Sequence, residues 1–189
     1  MVENSVSQAE LHILCLSDIR VLSKLSTILM RPPFDLIHIS CIKTKSYLSL
    51  RPDCEDVSET LLISFAEAIS AETKRFVFFT FKTKFRFTFL AFKNGVSLLS
   101  LRSEYKDRQH EIVFNHTDKW ESSLNSPVFS FENFEKKMRV ALKYGNPMDK
   151  IYEVLGFWCP FFAFPDGYEI NLKKSDPKIS YYVEKPWIP

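Results

Sequence analysis

Apolar and polar positions along this chain change period several times, and each change marks an element. Leu11 to Leu16 (LHILCL) is a short apolar run that reads as a buried strand. Ser17-Asp18 follows as a helix N-cap, after which Val21, Leu22, Leu25, Ile28 and Leu29 share one helical face until Arg31-Pro32-Pro33 stops it. Phe34 to Ile42 (FDLIHISCI) reads as a second buried strand, so the chain opens β-α-β. Asp56 and Glu59 predict a capping box for a helix whose stripe is Val57, Leu61, Leu62, Phe65 and Ile69.

The stretch from Lys74 to Gly95, KRFVFFTFKTKFRFTFLAFKNG, sets phenylalanines among lysines and arginines. Side chains alternate faces along a strand, and Val77, Phe79, Phe81, Phe85, Phe87, Phe89 and Ala91 are all odd-numbered. One strand of that length would outrun the domain, so the chain is expected to reverse near Lys82-Thr83-Lys84. A loop with an odd number of residues opposes Phe81 to Phe85 and Phe79 to Phe87, which keeps the rings together; a two-residue loop would oppose Phe81 to Lys84. The odd loop is the expectation, although no glycine supplies a left-handed position there. Asn94-Gly95 predicts a type I′ turn into Val96 to Leu101, placing Leu99 opposite Leu90 and Leu101 opposite Thr88. Both faces are then apolar except at the end bearing Thr80, Lys82, Lys84 and Arg86, as in a sheet covered on two sides.

Beyond Arg102 the chain is polar to Ser126, with Glu111 to Phe114 as a short strand. Ser130 caps a helix carrying Phe131, Phe134, Met138, Ala141 and Leu142 up to Gly145, and Asn146-Pro147 opens a second through Met148, Ile151, Tyr152 and Leu155 up to Gly156. Short strands follow, punctuated by Pro165-Asp166-Gly167 and Ser175-Asp176-Pro177. The class predicted is α+β: a mostly antiparallel sheet with an N-terminal β-α-β unit, a central Phe-rich β-meander, and a C-terminal helix pair followed by short strands. Residues 1–8 read as a flexible N-terminus and 9–189 as one domain, with 9–103 and 104–189 as its natural sub-lobes.

Composition removes several functions. Hydrophobic residues at 46% and charged residues at 25% are globular values, so disorder is not expected. A formal charge of +2 creates no global field toward nucleic acid or membrane. No apolar run is long enough to span a bilayer, and MVENSVSQAE lacks the features of a signal peptide, so the expectation is an intracellular protein, cytoplasmic or nuclear, with no membrane partner. Cys15, Cys41, Cys54 and Cys159 form no CxxC pair and read as free thiols. The glycines, Gly95, Gly145, Gly156 and Gly167, are too dispersed for a phosphate loop, a dinucleotide fingerprint or a nucleophile elbow.

Phe87 to Phe92 (FTFLAF) resembles the RNP1 strand of RNA-recognition motifs in its ring spacing, but the family's glycine is missing and a hairpin strand follows where that fold needs a helix. Ser17 to Ile39 is similar to the β-α-β of ACT ligand-sensing domains, without the glycine after the first strand. Asp166 with Asp176-Pro177-Lys178 resembles the PD-(D/E)xK nuclease pattern, yet Pro177 forces a turn where that family has a strand. His12 with Cys15 and His38 with Cys41 repeat an HxxC spacing, but residues three apart on a strand point to opposite faces. His110, Glu111, His116, Asp118 and Glu121 gather in the polar segment without the fixed spacing of a metal-dependent hydrolase.

No catalytic, cofactor-binding or metal site is therefore expected, and the chain reads as non-enzymatic. The function expected is protein binding, as an accessory or inhibitory subunit of a multiprotein complex. The residues expected to meet a partner are Lys82, Lys84 and Arg86 at the hairpin tip and Trp187, the last of a run of interface-type aromatics near the C-terminus. The competing expectation is single-stranded nucleic-acid binding through the same basic tip and the edges of Phe76, Phe78 or Phe92. A third is a toxin-neutralising immunity protein.

Overall fold

A computed structural model describes residues 8–14, 19–43, 47–52, 57–106, 109–117, 131–144, 168–170 and 179–184. The chain opens with strand β1 (Gln8–Leu14), helix α1 (Ile19–Leu29) and a 3-10 turn at Phe34–Leu36. Strands β2 (Ile39–Lys43) and β3 (Tyr47–Pro52), helix α2 (Glu59–Thr73) and strand β4 (Phe76–Lys82) follow. The meander continues through β5 (Arg86–Lys93), β6 (Val96–Lys106) and β7 (Gln109–His116), and beyond it lie helix α3 (Phe131–Tyr144), β8 (Tyr168–Ile170) and β9 (Ile179–Glu184). The strands form one nine-stranded sheet in the order β7-β6-β5-β4-β1-β3-β2-β9-β8. Every neighbouring pair is antiparallel except β2 with β9. The α+β class with a mostly antiparallel sheet is what the sequence predicts.

Strand β3 was not foreseen, and it changes the opening. Residues 8–82 form a split β-α-β, the ferredoxin-like arrangement, in which β3 lies between β1 and β2 and β1 lies between β3 and β4. The second predicted strand is also shorter than expected: Phe34–Leu36 coils into the 3-10 turn, with the Ile37 N–H donating to the Phe34 carbonyl (3.0 Å), and pairing starts at Ile39.

Both crossover helices lie on one face. Ala9, Leu11 and Ile13 of β1, Leu48 and Leu50 of β3, and Val77, Phe79 and Phe81 of β4 meet Val21, Leu25, Ile28 and Leu29 of α1 and Leu62, Phe65, Ala66 and Ile69 of α2. Each fully buried side chain of this size contributes roughly 1.5–3 kcal/mol by leaving water. The cap of α2 is Ser58 rather than the predicted Asp56-Glu59 box: its hydroxyl accepts from the Leu61 N–H (3.2 Å). The helix ends at Lys74, whose positive φ of 58° brings its N–H to the Ser70 carbonyl. Arg31, just past α1, forks onto the Glu72 carboxylate of α2 and ties the two helices together.

The Phe-rich hairpin is interior, but its rings divide between the two faces. Lys82 pairs with Phe87, Phe81 with Thr88 and Phe79 with Leu90, which leaves residues 83–86 as an even-length loop and overturns the odd-loop expectation. The reason is local chemistry at Thr83. Its hydroxyl accepts from the N–H groups of Phe85 (3.3 Å) and Arg86 (3.0 Å), closing the turn without glycine. Phe79, Phe81 and Phe92 therefore join the helix-side core, while Phe76, Phe78, Phe87 and Phe89 face the other way. There Phe76 stacks on Phe78 (5.9 Å) and Phe78 on Phe89 (6.3 Å), and Phe89 meets Phe134 of α3 at 5.7 Å.

Asn94 and Gly95 form the predicted turn with positive φ (54° and 75°). A bulge at Leu98 then shifts the register, so Leu99 opposes Ala91 and Leu101 opposes Phe89, one residue from the expected pairing. The shift delivers both leucines to the α3 side, where they are buried, and leaves Ser100, Arg102 and Glu104 on the α2 side. The second predicted helix, at 148–155, lies outside the described residues.

Candidate functional site

Helix α2 lies over β4 and β5 and thins out at β6. The Thr88 hydroxyl donates to Glu59 Oε1 at the first turn of α2 (2.6 Å), and at the other end Gly95 N–H donates to Ser70 Oγ (3.3 Å). A Cβ on Gly95 would stand 2.9 Å from the Ala71 Cβ, so this close turn-to-helix contact needs glycine for its space as well as its positive φ. Beyond α2 the same face of β6 and β7 is an open cleft of about 530 Å³ lined by Ser100, Arg102, Glu104, Glu111, Val113 and Asn115. Register explains the set: Glu104 opposes Glu111, Arg102 opposes Val113, and Ser100 opposes Asn115. The surface mixes one guanidinium, two carboxylates, two neutral hydrogen-bonding groups and one half-exposed valine.

The basic hairpin tip is less basic than its sequence. Arg86 donates to Glu59 Oε2 (3.0 Å) and lies 3.4 Å from a Glu104 carboxylate oxygen, so it bridges α2 to β6 across the side of the cleft. Lys84 is exposed, with its ammonium 5.6 Å from the Phe85 ring centre, and Lys82 is partly buried at the end of β4. Trp187 lies outside the described residues. The ring edges of the nucleic-acid reading are covered: Phe76, Phe78 and Phe92 are each under 5% exposed. Among the described residues the exposed aromatics are instead Phe85 (57%) and Tyr105 (43%), joined by a backbone bond from Tyr105 N–H to the Phe85 carbonyl (2.7 Å) at the Glu104 end of the cleft.

The polar middle segment is largely the edge of the sheet. Gln109 to His116 pairs with β6 along its whole length, longer than the strand expected from Glu111 to Phe114. Glu111 and His116, five apart on β7, point to opposite faces, so the strand does not bring them together. Asp118 and Glu121 lie outside the described residues. His12 and His38 are likewise separate: β3 stands between their strands, and His38 is exposed. Cys41 is a buried free thiol, and Cys15, Cys54 and Cys159 fall outside the described residues. Among the described residues no group of three or more histidine, cysteine or acidic side chains is placed to hold a metal ion.

One polar constellation escaped the sequence. On the face opposite α1 and α2, Glu10 and His12 of β1 stand beside Ser49 and Arg51 of β3. His12 Nδ1 and Ser49 Oγ are hydrogen-bonded at 2.8 Å, His12 Nε2 is 3.6 Å from Glu10 Oε2, and Arg51 donates to Glu10 Oε1 at 2.8 Å. The order Ser49, His12, Glu10 is that of a nucleophile, a base and an orienting acid. Ser49 and His12 are nevertheless at most 1% exposed, which leaves the hydroxyl no surface for a substrate, and the row acts as a polar latch between two central strands. The available signal was the alternation itself, A-E-L-H-I against L-S-L-R, in which polar residues occupy every second position of two apolar strands.

Among the described residues no helix is long and apolar enough to cross a membrane. No family model matches the chain, and no curated protein or solved structure matches it either.

Proposed function

We propose that this chain is a non-enzymatic protein-binding protein, an accessory or inhibitory subunit of a complex, which docks through the open face of β6 and β7 and the tip beside it. The observation that carries the reading is the uncovered cleft ending at Phe85 and Tyr105. Aromatic and arginine side chains dominate the energetics of protein interfaces, and interspersed charges of both signs give such a surface register and selectivity. A toxin-neutralising immunity protein is one member of this class.

Single-stranded nucleic-acid binding finds less support. Base stacking needs several open ring faces, and the hairpin offers only that of Phe85, with Phe76, Phe78, Phe79, Phe81, Phe87, Phe89 and Phe92 packed inside; phosphate contact needs unneutralised cations, and Arg86 is held by two carboxylates. The test is affinity purification of the tagged chain from its native host beside three variants, Phe85→Ala, Arg102→Glu and, as control on α1, Thr27→Ala. A stoichiometric protein partner lost from the first two and kept by the control is the result expected. A chain that purifies alone, or a partner indifferent to both variants, overturns the reading. Titration of a labelled oligonucleotide at two salt concentrations checks the rival: salt-sensitive binding lost on Lys84→Ala would favour it.

A further inference from the structure

Around the cleft beyond α2 the charges are paired off unevenly, and one cation is left over. Glu59 accepts from Thr88 at Oε1 and from Arg86 at Oε2, and the Glu104 carboxylate lies 3.4 Å from the same guanidinium. Arg86 thus engages both carboxylates that flank Arg102 on this side of the sheet: Glu104 stands two residues along β6, and Glu59 reaches Thr88, which Arg102 opposes across the pairing of β5 with β6. Arg102 itself is exposed, and among the described residues its guanidinium makes no hydrogen bond and no ion pair. Ser100 and Asn115 oppose one another a step further along the same face, and their side chains are also without a hydrogen bond among the described residues.

We propose that Arg102 receives a carboxylate of the protein partner, with the Ser100 hydroxyl and the Asn115 amide as accessory donors, so that the partner segment seated in the cleft is acidic at this point. The inference rests on the docking reading above and names the chemistry of its occupant. A guanidinium presents a planar fork of N–H groups that fits two carboxylate oxygens, and the attraction strengthens as water leaves. Val113 opposes Arg102 on β7 and is 49% exposed, so a partner that covers this valine dries the fork beside it. Phosphate fits the same fork. The lining, however, sets one arginine against two carboxylates, Glu104 and Glu111, which repel a dianion or a polyanionic strand more strongly than they repel a single carboxylate. The charges therefore favour an acidic protein segment over nucleic acid.

The test uses the partner retained by the tagged full chain, compared between the wild type, Arg102→Gln and Arg102→Lys. Arg102→Gln should weaken retention at least about tenfold, and Arg102→Lys should keep more of it because the charge remains. The deciding measurement is carbodiimide coupling of the Arg102→Lys complex, which joins an amine to a touching carboxylate as an amide. The link expected runs from position 102 to an aspartate or glutamate of the partner, located by peptide mass mapping. Should Arg102→Lys release the partner, Asn115→Lys repeats the coupling with Arg102 intact. A partner held equally by Arg102→Gln overturns the inference, and the docking reading still stands if Phe85→Ala releases that partner. Coupling that reaches only Glu104 or Glu111 of the same chain also overturns the inference, as does a retained nucleic acid in place of a protein. A chain that purifies alone removes the docking reading and this inference together.

Discussion

Around β1 and β4 the side chains of both faces are buried, whereas across β6 and β7 one face is packed and the other is open to water. The strands are not the cause, since Leu99 and Leu101 are as deeply buried as Leu11 and Ile13. Connections are. The β1-to-β2 and β3-to-β4 crossovers each carry a helix, and both helices land on the same face, over the strands they join. Hairpin turns link β4 through β7, and a turn of a few residues has no material with which to cover a sheet. An open surface in this molecule thus follows from the meander's short loops, and the mixed charges of Arg102, Glu104 and Glu111 are what such a surface tolerates.

The contrast can be broken first where it is deepest. Phe89→Ala removes a fully buried ring lying between Phe78 and Phe134, and should cost about 3–5 kcal/mol in urea unfolding, against about 0.5 kcal/mol or less for Val113→Ala on the open face. Comparable losses for the two would show that the open face is packed in solution. Next comes the latch: Glu10→Gln takes the charge from a buried carboxylate that Arg51 and His12 both address, with an expected loss of about 1–3 kcal/mol. A neutral result there would mean that the row contributes little beyond its packing.

Gly95→Ala probes the seam between the covered and uncovered regions. Its positive φ and the crowding against Ala71 predict a loss of about 1–2 kcal/mol by thermal unfolding, while Asn94→Gly, at the neighbouring position, should be nearly silent. The smallest effect belongs to Arg86→Gln. Half-exposed and shared between Glu59 and Glu104, this pair should contribute about 0–1 kcal/mol and fade as salt is added. A salt-independent loss of several times that size would make the Arg86 bridge a structural part of the fold instead of a solvated rim.

What could be read in advance followed the strength of the local signal. The stripes of α1 and α2 were legible because Leu25, Ile28, Leu62, Phe65 and Ile69 recur at helical spacing. Strand β3 was missed because Leu48 and Leu50 alternate over too short a run, between Ser49 and Arg51, to stand out from a loop. At the hairpin tip the sequence displays the cations but not the ion pair that neutralises Arg86, since Glu59 lies far from it along the chain and reaches it only through α2. The cleft was invisible for a similar reason: its lining comes from two strands, and a bulge against β5 that no residue at Leu98 announces decides which face of β6 turns toward it.

By itself the sequence determined periodicity, and with it the class of fold, the interior placement of the phenylalanines of β4 and β5 and the turn at Asn94-Gly95, because side-chain alternation and backbone preference act over a few residues. Which face each ring occupies, which carboxylates hold Arg86, how Glu10, His12, Ser49 and Arg51 meet, and where the helix layer ends were decided only in three dimensions. Those features depend on strand register and crossover geometry, which are set by the packing of segments distant along the chain and by a hydroxyl at Thr83 that closes one turn at an even length.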